Sequence, residues 1–154
     1  MHPVTVLTIG TVKKPFWQQA VDHYQRCLRS RLRLTLTALP PGRGRGPRER
    51  ICDEEGLRIL NQITPRHRLL ALHDAAPART SAEFARLLGE LWDKGYVPCF
   101  AVGGPFGLAP RVLEAAWDQV SLGPMTLPHE LALVVLLEQL YRASTILAGV
   151  AYHY

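Results

Sequence analysis

Apolar positions change their period several times along the chain. Val4 to Ile9 is a strand-length apolar run that ends at Gly10. Pro15 then opens a helical run to about Ser30. Leu32, Leu34, Leu36 and Ala38 alternate with Arg33, Thr35 and Thr37, the period of a strand with one polar face. Pro40-Pro41-Gly42-Arg43-Gly44-Arg45-Gly46-Pro47 continues neither element and is a flexible basic loop. A helix over 48–63 carries Ile51, Leu57, Ile59, Leu60 and Ile63, and Leu69 to Leu72 form the middle of a buried strand over 68–73. Thr80 or Ser81 caps a helix whose Phe84, Leu87, Leu88 and Leu91 fall on one face, and Gly95 ends it. Val97 to Val102 is a short apolar strand that runs into Gly103-Gly104-Pro105-Phe106-Gly107. Pro110 begins a helix to about Trp117; 120–122 is a brief strand, 123–128 a loop, and 130–147 a long last helix. Residues 149–154 form a tail.

Strands and helices that alternate in this way predict an α/β fold, a mostly parallel sheet with helices on both faces. A length of 154 residues fits a single domain, 1–154. In such a sheet ligands bind outside the carboxyl ends of the strands. Three loops leave those ends: His73-Asp74, Gly103 to Gly107, and Gly123 to Pro128. The glycine loop lets backbone approach a ligand closely. It is neither a phosphate-binding Walker A loop nor a dinucleotide fingerprint.

Composition narrows the choice. Hydrophobic residues at 47% and charged residues at 20% describe a globular chain and exclude wholesale disorder. Cys27, Cys52 and Cys99 are odd in number and widely spaced, which fits reduced thiols better than a zinc ribbon or a disulfide scaffold, and no metal is expected. No targeting segment is visible, and the longest late apolar stretch, Leu131 to Leu137, is far short of the roughly 20 residues a membrane span needs. A cytoplasmic protein without membrane contact is expected. The net charge of +5 is concentrated. Arg26, Arg29, Arg31, Arg33, Arg43, Arg45, Arg48 and Arg50 stand within 25 residues against Glu49 alone, leaving the remainder slightly acidic. Guanidinium forks suit phosphate oxygens, so the patch points to nucleic acid.

Four segments together carry a resemblance. The loop Gly103-Gly104-Pro105-x-Gly107-Leu108 and the segment Ser121-Leu122-x-x-Met125-Thr126-Leu127-Pro128-His129 are two of them. The others are the helix Glu138-Gln139-Leu140-Tyr141-Arg142-Ala143 and the terminal Ala151-Tyr152-His153. With the Asp53-x-Glu55-Gly56-x-x-Ile59-Leu60 helix, they resemble the ribosomal large-subunit pseudouridine N3-methyltransferase family, of the SPOUT class of knotted methyltransferases. The resemblance implies an α/β knot with a deep C-terminal trefoil, a homodimer, and S-adenosylmethionine as methyl donor. Its implied substrate is N3 of a pseudouridine in 23S rRNA, within the assembled ribosome. Carried over by position, the methyl donor contacts Leu72, Gly103, Gly104, Leu122, Gly123, Pro124, Met125, Thr126, Leu127 and Pro128.

Methyl transfer to an imide nitrogen needs alignment and removal of a proton. The candidates are His153, Tyr152, Arg142 and His129. The resemblance places the terminal Tyr-His near the methyl donor of the partner subunit and makes His153 the first choice; His129 can instead cap the last helix. Tyr141 is expected in the core. Arg43, Arg45, Arg48 and Arg50 are the candidate RNA contacts. The chain departs from the family pattern at Leu133 and Tyr154, where cations are common, and at Phe106, often Glu or Asn. Those departures leave open an inactive ribosome-binding homologue, or a methyltransferase of tRNA or another RNA. The last helix is apolar around its circumference over 131–137, which predicts burial on every side and so a dimer.

Overall fold

The computed structural model describes residues 1–152; His153 and Tyr154 lie outside the described residues. Its elements are β1 (His2–Ile9), α1 (Pro15–Leu28), β2 (Leu32–Leu39), α2 (Arg48–Leu60), β3 (His67–Leu72), α3 (Ser81–Asp93), β4 (Val97–Val102), α4 (Pro110–Ala115), β5 (Asp118–Val120) and α5 (His129–Leu147). The strands form a parallel five-stranded sheet in the order β2-β1-β4-β3-β5.

Alternate residues of a strand face opposite sides of a sheet, and both sides are covered here. Val4, Val6, Leu70, Phe100, Val102 and Val120 pack against α1, α3 and α5. Leu7, Ile9, Leu69, Cys99 and Ala101 pack against α2 and α4. That is why the inner strands read as continuous apolar runs. The edge strand β2 keeps Arg33 and Thr35 exposed, and so alternates.

Several element ends differ from the sequence reading, most by one or two residues, and three of the shifts have a visible cause. The helix expected to reach Ile63 stops at Leu60, where the chain tightens through Gln62 N–H to Ile59 O and Ile63 N–H to Leu60 O ahead of Pro65. The helix expected to reach Trp117 stops at Ala115, because Ala116 is extended and the Trp117 N–H donates to Leu69 O at 2.8 Å. The last strand is 118–120, not 120–122. Asp118, Gln119 and Val120 pair with Leu70, Ala71 and Leu72. Arg79 holds this polar edge through the Asp118 carboxylate and the Gln119 carbonyl. No apolar run marks it.

Two side chains fasten the basic loop and the α3 terminus. Buried Glu55 accepts the Gly42 N–H at 3.0 Å, seating the start of the basic loop on α2. Thr80 caps α3 in a reciprocal box, its Oγ1 accepting from Glu83 N–H while Glu83 accepts from Thr80 N–H at 2.7 Å. Those bonds to Thr80 hold the Glu83 carboxyl below the usual carboxylate range.

Candidate functional site

The carboxyl ends of β3, β4 and β5 open into a cavity of about 560 Å³. One wall is the turn after β4. Gly107 N–H donates to Gly104 O at 3.0 Å, Pro105 takes the second position of the turn, and Gly107 follows in the left-handed region at φ 77°. The turn folds back so tightly that a Cβ on Gly103 would lie 2.6 Å from the Gly107 carbonyl carbon. Only glycine fits there, so this wall is largely backbone. It is fixed from behind: the Phe106 carbonyl accepts from the Cys52 thiol at 3.7 Å and from Arg48 Nη2 at 3.3 Å, both on α2.

The opposite wall is the segment after β5. Ser121 Oγ accepts the Gly123 N–H at 3.0 Å and closes the first bend. Thr126 Oγ1 donates to Asp74 Oδ2 at 2.8 Å, tying this segment to the loop after β3. Leu72, Leu122, Gly123, Met125, Thr126, Leu127 and Pro128 all line the cavity, as do Gly103 and Gly104. Of the positions expected from the sequence, Pro124 alone is outside the lining, and it is exposed.

His129 also lines the cavity, but not as a helix cap. Pro128 occupies the N-cap, no side chain caps α5, and His129 is the first helical residue. The capping expectation is therefore corrected, and the imidazole belongs to the cavity wall. Glu130 beside it is buried and accepts the Lys13 N–H at 2.7 Å, pinning the exit of β1 to the start of α5.

Arg142 and Tyr152 are elsewhere. Arg142 is thirteen residues beyond His129 on one helix, about 20 Å along the axis at 1.5 Å per residue. There Glu138 Oε1 accepts from Arg142 Nε at 3.1 Å and Nη2 at 2.6 Å, and from Tyr152 Oη at 3.3 Å. The Tyr152 ring meets Tyr141 edge-on at 4.9 Å, and the Arg142 guanidinium lies 4.7 Å from its centre. Burial and the Glu138 charge raise the Tyr152 phenol, and the hydrogen bond to Glu138 raises the Arg142 guanidinium. Tyr141, expected in the core, packs against it half-buried and also meets the Tyr152 ring. His153 lies outside the described residues.

Arg43, Arg45, Arg48 and Arg50 are all exposed. Arg50 pairs loosely with Glu54 at 3.5 Å, and Arg48 lies over the Phe106 ring at 5.3 Å, so the basic loop ends beside the glycine turn. The last helix is not buried on every side within one chain: Leu133, Leu136 and Leu137 are buried, whereas Leu131, Val134 and Val135 are half-buried.

His73 and Asp74, marked by their place after the carboxyl end of a strand, both line the cavity, although neither is among the methyl-donor contacts carried over by position. The sequence reading missed Glu138 as the centre of the tail cluster. The signal was present: Glu138 stands four residues before Arg142 on a helix.

The chain matches, over residues 2–153, the family model described as "Predicted SPOUT methyltransferase". It is 44% identical, across the full length of both chains, to the ribosomal RNA large subunit methyltransferase H of Nitratidesulfovibrio vulgaris Miyazaki F. It is 37% identical to the protein of that name from Kosmotoga olearia, over 94% of this chain and 95% of the relative. A probable methyltransferase from Bordetella pertussis Tohama I shares the fold, with a TM-score of 0.53 and 18% identity, over 93% of this chain and 94% of that one.

Proposed function

This chain belongs to the SPOUT methyltransferase family and is an enzyme of methyl transfer; from that premise we propose that it methylates N3 of a pseudouridine in 23S rRNA of the assembled ribosome, as a homodimer using S-adenosylmethionine. The observation that carries the reading is the cavity at the strand ends, walled by the Gly103–Leu108 turn and the 122–128 segment. Its volume is within the range of small-molecule sites. Gly103, Gly104 and Gly107 line the cavity without side chains, which suits a ligand approached by main-chain groups.

Leu72, Leu108, Val120, Leu122 and Leu127 supply apolar wall for an adenine, and the Asp74 carboxylate supplies a counter-charge for a cationic ligand. Bound there, S-adenosylmethionine supplies an electrophilic methyl group on a sulfonium. The chain's own task is to align the accepting nitrogen, exclude water and accept the imide proton. His129 is at the cavity. In this reading the tail groups come from a second copy: Tyr152 is docked on Glu138 and Tyr141, well along α5 from His129, and does not line its own chain's cavity. The half-buried face of α5 at Leu131, Val134 and Val135 favours such a pairing. The exposed arginines of the basic loop would bind rRNA phosphates.

The test is methyl transfer from labelled S-adenosylmethionine to ribosomes from a strain lacking the enzyme, with the product mapped by mass spectrometry. Label on one large-subunit pseudouridine is expected. Label on tRNA instead, or cofactor binding without transfer to any RNA, would overturn the substrate assignment.

A further inference from the structure

Phe106 is an exposed aromatic at a place where solubility favours a polar residue. It sits at the tip of the glycine turn, 42% exposed, and its ring is not part of the cavity lining. The ring faces the end of the basic loop, with the Arg48 guanidinium 5.3 Å from its centre.

The backbone under it is held on several sides. Its carbonyl takes hydrogen bonds from Arg48 and Cys52, the turn is closed by Gly107 N–H to Gly104 O, and Gly107 takes the left-handed conformation at φ 77°. Glu55, which anchors Gly42 of the basic loop, also lies against this turn: a Cβ on Gly104 would be 3.5 Å from its Oε2. The basic loop and the Phe106 turn are thus seated on one helix face, and the ring is presented with its position already fixed.

We infer that Phe106 and Arg48 form a nucleobase-stacking site on the rim of the cavity, which takes an unpaired RNA base next to the nucleotide being modified. The inference rests on the RNA-methyltransferase reading above. Every base has a flat π-face, and an aromatic ring beside a guanidinium stacks with it whatever its identity, while the N–H groups of Arg48 not bonded to the Phe106 carbonyl have the adjoining phosphate as their partner. The concentration of arginine over residues 26–50 supplies the charge that brings a polyanion to this rim. A strand that runs from the basic loop over Phe106 would deliver the next nucleotide to the mouth of the cavity.

The experiment compares Phe106→Ala, Phe106→Leu, Phe106→Trp and Arg48→Ala with wild type. It measures ribosome binding over a range of salt, methyl-transfer KM and kcat on ribosomes, and S-adenosylmethionine affinity by calorimetry. Phe106→Ala and Phe106→Leu are expected to weaken ribosome binding and raise KM by about ten- to hundredfold. Phe106→Trp should bind like wild type, and cofactor affinity should hold in the three Phe106 variants. Arg48→Ala should lower the salt slope by about one, and the Phe106 variants should leave it unchanged. Wild-type binding by Phe106→Leu would show that no aromatic face is needed and would overturn the stacking site, as would loss of cofactor affinity in that variant. Both of those results leave the RNA-methyltransferase reading standing. Failure of wild type itself to bind or methylate ribosomes would instead remove that reading, and the stacking site with it.

Discussion

The cavity and the tail cluster are built from opposite materials. At the cavity the decisive contacts are main-chain: a turn closed by Gly107 N–H to Gly104 O, and a glycine at 103 that no side chain can replace. At the tail cluster the contacts that bring the groups together are between side chains, with Glu138 gathering Arg142 and Tyr152 while Tyr141 meets the Tyr152 ring edge-on. A backbone cradle is complete within one chain and tolerates no added volume. The side-chain cluster, whose Arg142 lies about 20 Å along α5 from His129, does not line that cavity within one chain, and under the proposed pairing it would act on the cavity of a second copy. Substitutions in the two regions should therefore fail in different ways.

The largest effect is expected at the cradle. Gly103→Val drives a branched side chain into the Gly107 carbonyl, and should abolish measurable S-adenosylmethionine binding by calorimetry, with methyl transfer down at least about a hundredfold. Tyr152→Ala attacks the other region. It should lower kcat about ten- to hundredfold while cofactor affinity stays at the wild-type value, the split expected of a group that serves chemistry rather than binding. Equal loss of cofactor affinity in both variants would erase the distinction.

Third in size is the basic loop. Neutralising Arg43, Arg45, Arg48 and Arg50 together should reduce the salt dependence of ribosome binding by up to about four in slope, with cofactor affinity unchanged. An unaltered slope would remove the loop from the RNA interface.

Smaller effects belong to the scaffold. Thr80→Ala removes the α3 cap and should cost about 1 kcal/mol in denaturant unfolding without changing kcat. Glu83 adds a pH term of known sign. Its folded pKa is depressed, so its contribution is present above the ordinary carboxylate value of about 4.3 and is lost as pH falls through the lower folded value. Glu83→Gln should flatten stability against pH in that acid window. Thiol labelling should reach half-buried Cys27 first; Cys99 is fully buried with its thiol pushed up to about 12, and should stay unlabelled until unfolding.

The same contrast explains what could be read from the sequence. The parallel sheet with helices on both faces was legible because the inner strands are continuous apolar runs, and Pro15, Pro110 and Gly95 mark helix ends. The cavity was marked by the three loops at the strand ends, whereas Gly103, Gly104 and the 122–128 segment were singled out by the family resemblance, since glycines and prolines in such loops serve plain turns as readily. The short edge strand was not, since Asp118 and Gln119 are held by Arg79 rather than by apolar periodicity. Nor was the placement of His129. A histidine after a proline at a helix start suits both a cap and a cavity wall, and only the backbone geometry at Pro128 decides. The tail cluster depends on a contact between residues 138 and 152 that follows a helix end and a turn, which no local pattern encodes.

The most direct test of the central claim, that cradle and tail meet only between two chains, is subunit complementation. Gly103→Val and His153→Ala chains, each expected to be impaired alone, are co-expressed and assayed for methyl transfer to ribosomes. Random pairing leaves one intact site in each mixed dimer, so about one quarter of wild-type activity should return. Activity no greater than that of the two variants alone would show that each chain works with its own tail, and would contradict the account.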